Sequence, residues 1–321
     1  MDNRLTKKRL SDFLAYEWII TIVAAAVAIV LLEILYTVAA VRLSVGQQFK
    51  YYMDEDLYVY DTSVSDLYGL LGVNSGENGK TFSFDVLSVE SENLDSSYNV
   101  LSVRLSVQEG DAIFTSSVEK EDGSVRAKSI IDGFPVYDMQ SLLGSAKIYL
   151  NKFVVSGGDI YNAEDYDENK IRAYFDKRMK GDNRFRTEEE KEEGRKNEIG
   201  RIKKLAKEVQ DFETLMTIGE EKGLFYKYIK YEQASGGEIS DGNYGAAYEK
   251  ELSKGELIYG LNMNAFTGGE RTVSDYLKLS GGTAEGVVLV LFNFSSYQYD
   301  LQFECISFVN TLAREFSNFL G

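Results

Sequence analysis

Ser117-Val118-Glu119-Lys120 has the S-x-x-K spacing in which a serine attacks and a lysine one turn on takes its proton, the chemistry of acyl transfer. In a chain rich in serine and lysine a four-residue match of this kind arises by chance. The K-T-G and S-D-N segments that accompany it in acyl transferases do not appear in a matching context. Asp165, Asp167 and Asn169 have the D-x-D-x-N spacing that opens a calcium loop. Such a loop turns on a glycine at its sixth position and closes on a glutamate at its twelfth. Lys170 and Asp176 stand there instead, so a capped helix start is the simpler reading. Four Ser/Thr-Gly-Gly steps, at Ser156, Ser235, Thr267 and Ser280, lack the lysine and helix context of a phosphate loop and read as turns.

The absences narrow the chemistry further. The chain has no histidine, which removes the usual general base, the usual zinc ligand and the Ser-His and Cys-His pairings. The single cysteine, Cys305, excludes an intrachain disulfide and falls on the apolar face of the last expected helix, the place of a buried small residue. With 51 acids no carboxylate pair for glycoside hydrolysis stands out, and the only tryptophan lies in the N-terminal apolar run, away from any sugar site. Tyrosine, with 22 copies, is the aromatic that remains for such a site. The expectation is a non-enzymatic protein with no metal and no cofactor; the alternative is an anchored cell-wall glycan hydrolase working with two carboxylates.

The 321 residues carry a net charge of −16, and residues 1–41 hold four bases and four acids, so the whole excess lies in residues 42–321. An acidic surface repels nucleic acid and anionic lipid head groups, which excludes both as partners of that part. Trp18–Val41 reads WIITIVAAAVAIVLLEILYTVAAV. At ~1.5 Å per residue it extends ~36 Å, enough to cross a ~30 Å hydrocarbon core. Arg4, Lys7, Lys8 and Arg9 precede it, and Asp54, Glu55, Asp56 and Asp61 follow, which puts residues 1–17 in the cytoplasm and the rest outside. Val38-Ala39-Ala40 would suit a signal peptidase, but the run is longer than a signal core and Glu33 interrupts it, which favours an uncleaved anchor. Glu33 is either a tolerated acid near the interface or the partner of a polar group on another membrane helix. Ala24 and Ala28 form a small face that permits close helix packing. A partner contact through Ala24, Ala28 and Glu33 makes the chain a structural subunit of a membrane assembly.

Residues 42–80 read as a connector, in which tyrosines alternate with acids and a Gly/Asn-rich stretch closes the segment. Thr81–Val89 and Val100–Val107 alternate with period two and predict strands, and Ala112–Val118 predicts a short buried strand. Asp138 caps a helix carrying Leu142, Leu143, Ala146, Tyr149, Leu150 and Phe153. A second helix carries Ile171, Tyr174, Phe175 and Arg178. Thr187 and Glu190 form a capping box ahead of a third, with Ile199, Ile202, Leu205, Ala206, Val209, Phe212, Leu215 and Met216 at helical spacing. Glu256–Met263 and Gly286–Phe294 predict strands, the latter with no polar face and so central. Ser295 and Gln298 cap a last helix carrying Leu301, Cys305, Phe308, Leu312, Phe316 and Phe319. Strands interleaved with helices make the class α/β.

Two patches resemble a known family. FSFDVLSV with LSVRLSVQEGDAIFTSS in residues 81–118, and YGLNM at 259–263 with VVLVLFNFSS at 287–296 before a terminal helix, are similar to bacterial extracellular solute-binding proteins. In that family the segment matching 100–107 is helical, whereas here it alternates like a strand. The resemblance implies a two-lobed, periplasmic-binding-protein-like domain over residues 81–321. Lobe 1 would be about 81–134 with 257–321, and lobe 2 about 135–256. It implies a membrane-anchored module of bacterial origin beside an ABC-type transporter permease, or a surface sensor or scaffold. A small molecule or sugar would then lie in a cleft near Asp111, Tyr259, Asn293 and Ser295, at strand ends where open α/β sheets bind ligands.

Overall fold

In the computed structural model the described residues are 7–12, 18–39, 49–54, 57–58, 89–93, 98–107, 110–182, 185–230, 255–279, 282–293 and 303–320. Residues 1–42 and 43–321 form separate compact units. The first holds a short helix α1 (Lys7–Asp12) and α2 (Trp18–Ala39). The 22 residues of α2 make a helix ~33 Å long. It is long and apolar enough to cross a membrane, and no residue of Trp18–Leu35 is buried by protein.

The second unit is a mixed α/β fold. In chain order its elements begin with β1 (Phe49–Met53), β2 (Leu57–Tyr58), β3 (Val89–Asn93), α3 (Tyr98–Ser106), β4 (Ala112–Ser116) and α4 (Arg126–Gly133). Then come α5 (Met139–Asn151), α6 (Glu168–Arg178), α7 (Glu188–Lys222), β5 (Phe225–Tyr228), β6 (Leu257–Asn262), β7 (Lys278–Leu279), β8 (Val287–Leu291) and α8 (Glu304–Phe316). Six strands form one sheet in the order β3-β1-β4-β8-β6-β5, and β2 pairs with β7 in a second. β1 runs parallel to both β3 and β4, while β8 is antiparallel to both β4 and β6.

Alternation along the strands divides the core between the two faces of the sheet. Tyr52, Ile113, Val288 and Val290 meet Leu101 and Leu105 of α3 and Ile130 and Ile131 of α4. Tyr51, Phe114, Leu289 and Leu291 face the helices α5, α7 and α8. The result is a sheet buried on both sides, which is why β8 has no polar face. Tyr259 is the extra residue of a bulge, since Tyr226 pairs with Gly260 and Lys227 with Ile258.

The expected helices α5, α6, α7 and α8 all form. Asp138 accepts from the Ser141 amide, and Thr187 and Glu190 make the reciprocal capping box. Asp167 accepts from the amides of Asn169 and Lys170, so the D-x-D-x-N run is a capped helix start. Cys305 is buried, and burial pushes its thiol pKa well above the ordinary range. α8 begins instead behind Phe303, which holds a left-handed φ of 74° with no side-chain cap; Ser295 and Gln298 lie outside the described residues, as do residues 81–88 of the first expected strand. Two expectations are corrected. Val100–Val107 belongs to a helix: Leu101 and Leu105, one turn apart, are buried while Val103 and Val107 are exposed. The connector assigned to 42–80 contains β1, an interior strand bonded on both sides. The helices of residues 135–222 share one core with the sheet.

The helical layer holds a buried ionic group. Arg201 donates to Glu198 at 2.9 and 3.0 Å and to the Tyr149 hydroxyl at 2.7 Å, and Arg178 lies 3.1 Å from Glu198. Burial alone would raise the Glu198 pKa, but Arg201 and Arg178 outweigh it and hold the carboxyl below its ordinary value.

Candidate functional site at the carboxyl edge of the sheet

β3 lies on one side of β1 and β4 on the other, so the chain leaves β1 and β4 in opposite directions. In open α/β sheets this switch point opens a crevice outside the carboxyl ends of the strands, and ligands bind there. Here those ends are Met53-Asp54 and Ser116-Ser117.

Asp54 follows directly on β1 and is fully buried. It accepts from the Thr115 hydroxyl of β4 at 2.7 Å and from Arg126 Nε at 3.1 and 2.9 Å. Its own amide donates to the Phe114 carbonyl at 3.0 Å. A buried carboxylate requires such partners. They tie the ends of two parallel strands to the start of α4.

From Ser116, the residue after Thr115, begins the wall of a groove of about 910 Å³. One wall runs from Ser116 to Glu121 and the other holds Leu279, Thr283, Glu285 and Gly286. The Ser117 hydroxyl donates to the Gly286 carbonyl at 3.1 Å, a strut between the walls. This is the serine of the S-x-x-K match, and its proton is spent on the backbone. Gly286 has φ +82°, and a Cβ there would lie 2.5 Å from Val118 Cγ2, so only glycine lets the walls approach this closely. Ser117 and Thr283 bring hydroxyls to the groove, Glu119, Glu121 and Glu285 bring carboxylates, and Lys120 brings an amine. Hydrogen-bonding groups over an apolar patch of Val118 and Leu279 suit a small polar solute.

The expected ligand residues are placed elsewhere. Asp111 precedes β4, and its carbonyl accepts from the Phe292 amide at 2.9 Å. Asn293 follows β8 and is exposed, with its amide donating to the Pro135 carbonyl at 3.0 Å. The register Ala112–Leu291 sets Asp111 opposite Phe292, one residue before Asn293, and Tyr259 lies near the same level on β6. They share the amino edge of β4, the end opposite the switch-point crevice, because β8 is antiparallel to β4. Ser295 lies outside the described residues. Asp54, Thr115 and Arg126 were missed; the readable signal was an aspartate closing the aromatic run FKYYM.

In α2, Ala24 and Ala28 are one turn apart and share a face. Glu33 stands nine residues beyond Ala24, about two and a half turns, which places it on the opposite face. One partner helix therefore does not meet all three. Among the described residues no group of three or more metal-ligating side chains comes together. No family model, curated protein or solved structure matches this chain.

Proposed function

We propose that the chain is a membrane-anchored extracellular binding module of the solute-binding kind, non-enzymatic, that presents a small polar solute to a transporter permease or senses it at the surface. The observation that carries this reading is the groove at the carboxyl end of β4, the edge at which an open α/β sheet takes its ligands. Helix α3 adds support, because helix is the form this segment takes in the family that the sequence resembles.

In its finer form the reading is a two-lobed, periplasmic-binding-protein-like domain, with the sheet as lobe 1 and the helices of about 135–256 in the place of lobe 2, docked on the sheet. α2 crosses the membrane with the N-terminus in the cytoplasm, and its Glu33 face meets the permease.

The test is a thermal-shift and calorimetric screen of the full chain in nanodiscs against neutral mono- and disaccharides and free amino acids. Saturable binding that is lost in Ser117→Trp, which fills the groove, and kept in Asn293→Ala supports the reading. Conversion of a glycan to shorter products, or binding untouched by Ser117→Trp, overturns it.

A further inference from the structure

The groove that begins at Ser116 carries more charge of one sign than of the other. Glu119 and Glu121 stand on one wall and Glu285 on the facing wall, against a single base, Lys120. All four residues are exposed, so a solute can reach them. Lys120 is already engaged. Its charge also lies close to Asp122, whose carboxyl is held below its ordinary value by hydrogen bonds from Ser124 and then by Lys120. The three glutamate side chains have no ion pair or hydrogen bond among the described residues. Unpaired charges of one sign on facing walls focus a negative field into the space between them.

Both walls are ordered by their own backbone. The Lys120 amide donates to the Ser124 carbonyl at 2.8 Å and the Gly123 amide to the Lys120 carbonyl at 2.9 Å. Gly123 turns the chain there with a φ of +80°. The Ser117 amide and hydroxyl both donate to the Gly286 carbonyl, at 2.8 and 3.1 Å, which fixes Glu285 beside the strut between the walls. The same walls carry Val118 and Leu279, both partly exposed. The volume of about 910 Å³ is within the ~300–1,000 Å³ of small-molecule sites. Carboxylates on two sides call for a cation at each, and the apolar side chains call for methylenes. An anion is repelled, and a neutral polyol leaves the carboxylates without a counter-charge.

We infer that the solute of this groove is an aliphatic di- or polyamine, with its methylene chain on Val118 and Leu279 and its ammonium groups at the glutamates of the two walls, an assignment that rests on the groove being a solute site. The test is calorimetry on the full chain in nanodiscs of neutral lipid, with three probes of one length, putrescine, butane-1,4-diol and succinate, and with calcium chloride. Putrescine binds at least tenfold more tightly than the diol, succinate or calcium, and its binding is lost in Ser117→Trp. Glu119→Gln with Glu285→Gln lowers its affinity at least tenfold and leaves the thermal midpoint unchanged, since both residues are exposed. Failure of putrescine to bind, the diol or calcium binding as tightly, or full affinity in the double variant overturns the amine class. The two readings fail separately. A sugar or amino acid that binds and is blocked by Ser117→Trp overturns the amine class alone, whereas no solute blocked by Ser117→Trp overturns the solute site as well.

Discussion

The Arg201 guanidinium lies 2.9 Å from the Glu198 carboxylate three residues back on α7, and neither side chain reaches solvent. Removing one partner leaves the other charge buried and uncompensated. Glu198→Gln is therefore expected to cost ~3–5 kcal/mol in denaturant unfolding. The Glu198 carboxyl is held below its ordinary pKa when folded. Its contribution is thus complete above the unfolded value of ~4.3 and disappears as pH falls through the lower folded value. Wild-type stability measured from neutral to acid pH should drop in that window, and the drop should shrink in Glu198→Gln.

Leu101 and Val103 separate helix from strand over residues 98–106. In a strand both would share the buried face, whereas in α3 Leu101 is fully buried and Val103 is 65% exposed. Leu101→Ala is expected to cost ~2–5 kcal/mol and Val103→Ala less than ~0.5 kcal/mol. Equal losses in urea melts would contradict the helix.

Gly269 packs where no side chain fits. A Cβ there would come within 2.6 Å of three backbone atoms, the Glu315 carbonyl oxygen, Phe316 C and Ser317 N. Backbone at the end of a packed helix does not step aside cheaply. Gly269→Ala should lower stability by more than ~1–3 kcal/mol, the cost of ordinary overpacking, and thermal unfolding reads it directly.

Glu33 and Ala24 look in opposite directions from α2, so their substitutions should act on different contacts. Replacing Glu33 by leucine removes the one charge from a helix that otherwise has none. Co-purification of a membrane partner with the full chain should fall several-fold in Glu33→Leu and hold in Ala24→Leu with Ala28→Leu. The reverse pattern would move the contact to the alanine face.

The helices with a long apolar period and a cap were legible because both signals are local: Thr187 with Glu190 marks the start of α7, and Ile199 to Met216 marks its buried stripe. VLSVRLSV was misleading because it satisfies two periods at once. Its apolar residues alternate, yet Leu101 and Leu105 also stand one helical turn apart. β1 was hidden for a different reason. FKYYMDED looks like surface, because acids and tyrosines signal exposure when neighbours are unknown. Tyr51 and Tyr52 instead enter opposite faces of the core, and Asp54 is matched by Arg126, 72 residues away. The groove was out of reach for the same reason: strand order, which decides where the crevice opens, is set by long-range pairing.

Only nine residues, 40–48, separate the end of α2 from β1, and β1 lies between two parallel neighbours. Any pull transmitted from α2 along the chain arrives at Phe49 and runs along the strand. Its ladder bonds to β3 and β4 are then loaded together in shear, not peeled apart one by one. The segment from α2 enters the sheet at an interior strand, so this domain should resist mechanical extraction far better than one hung from an edge strand.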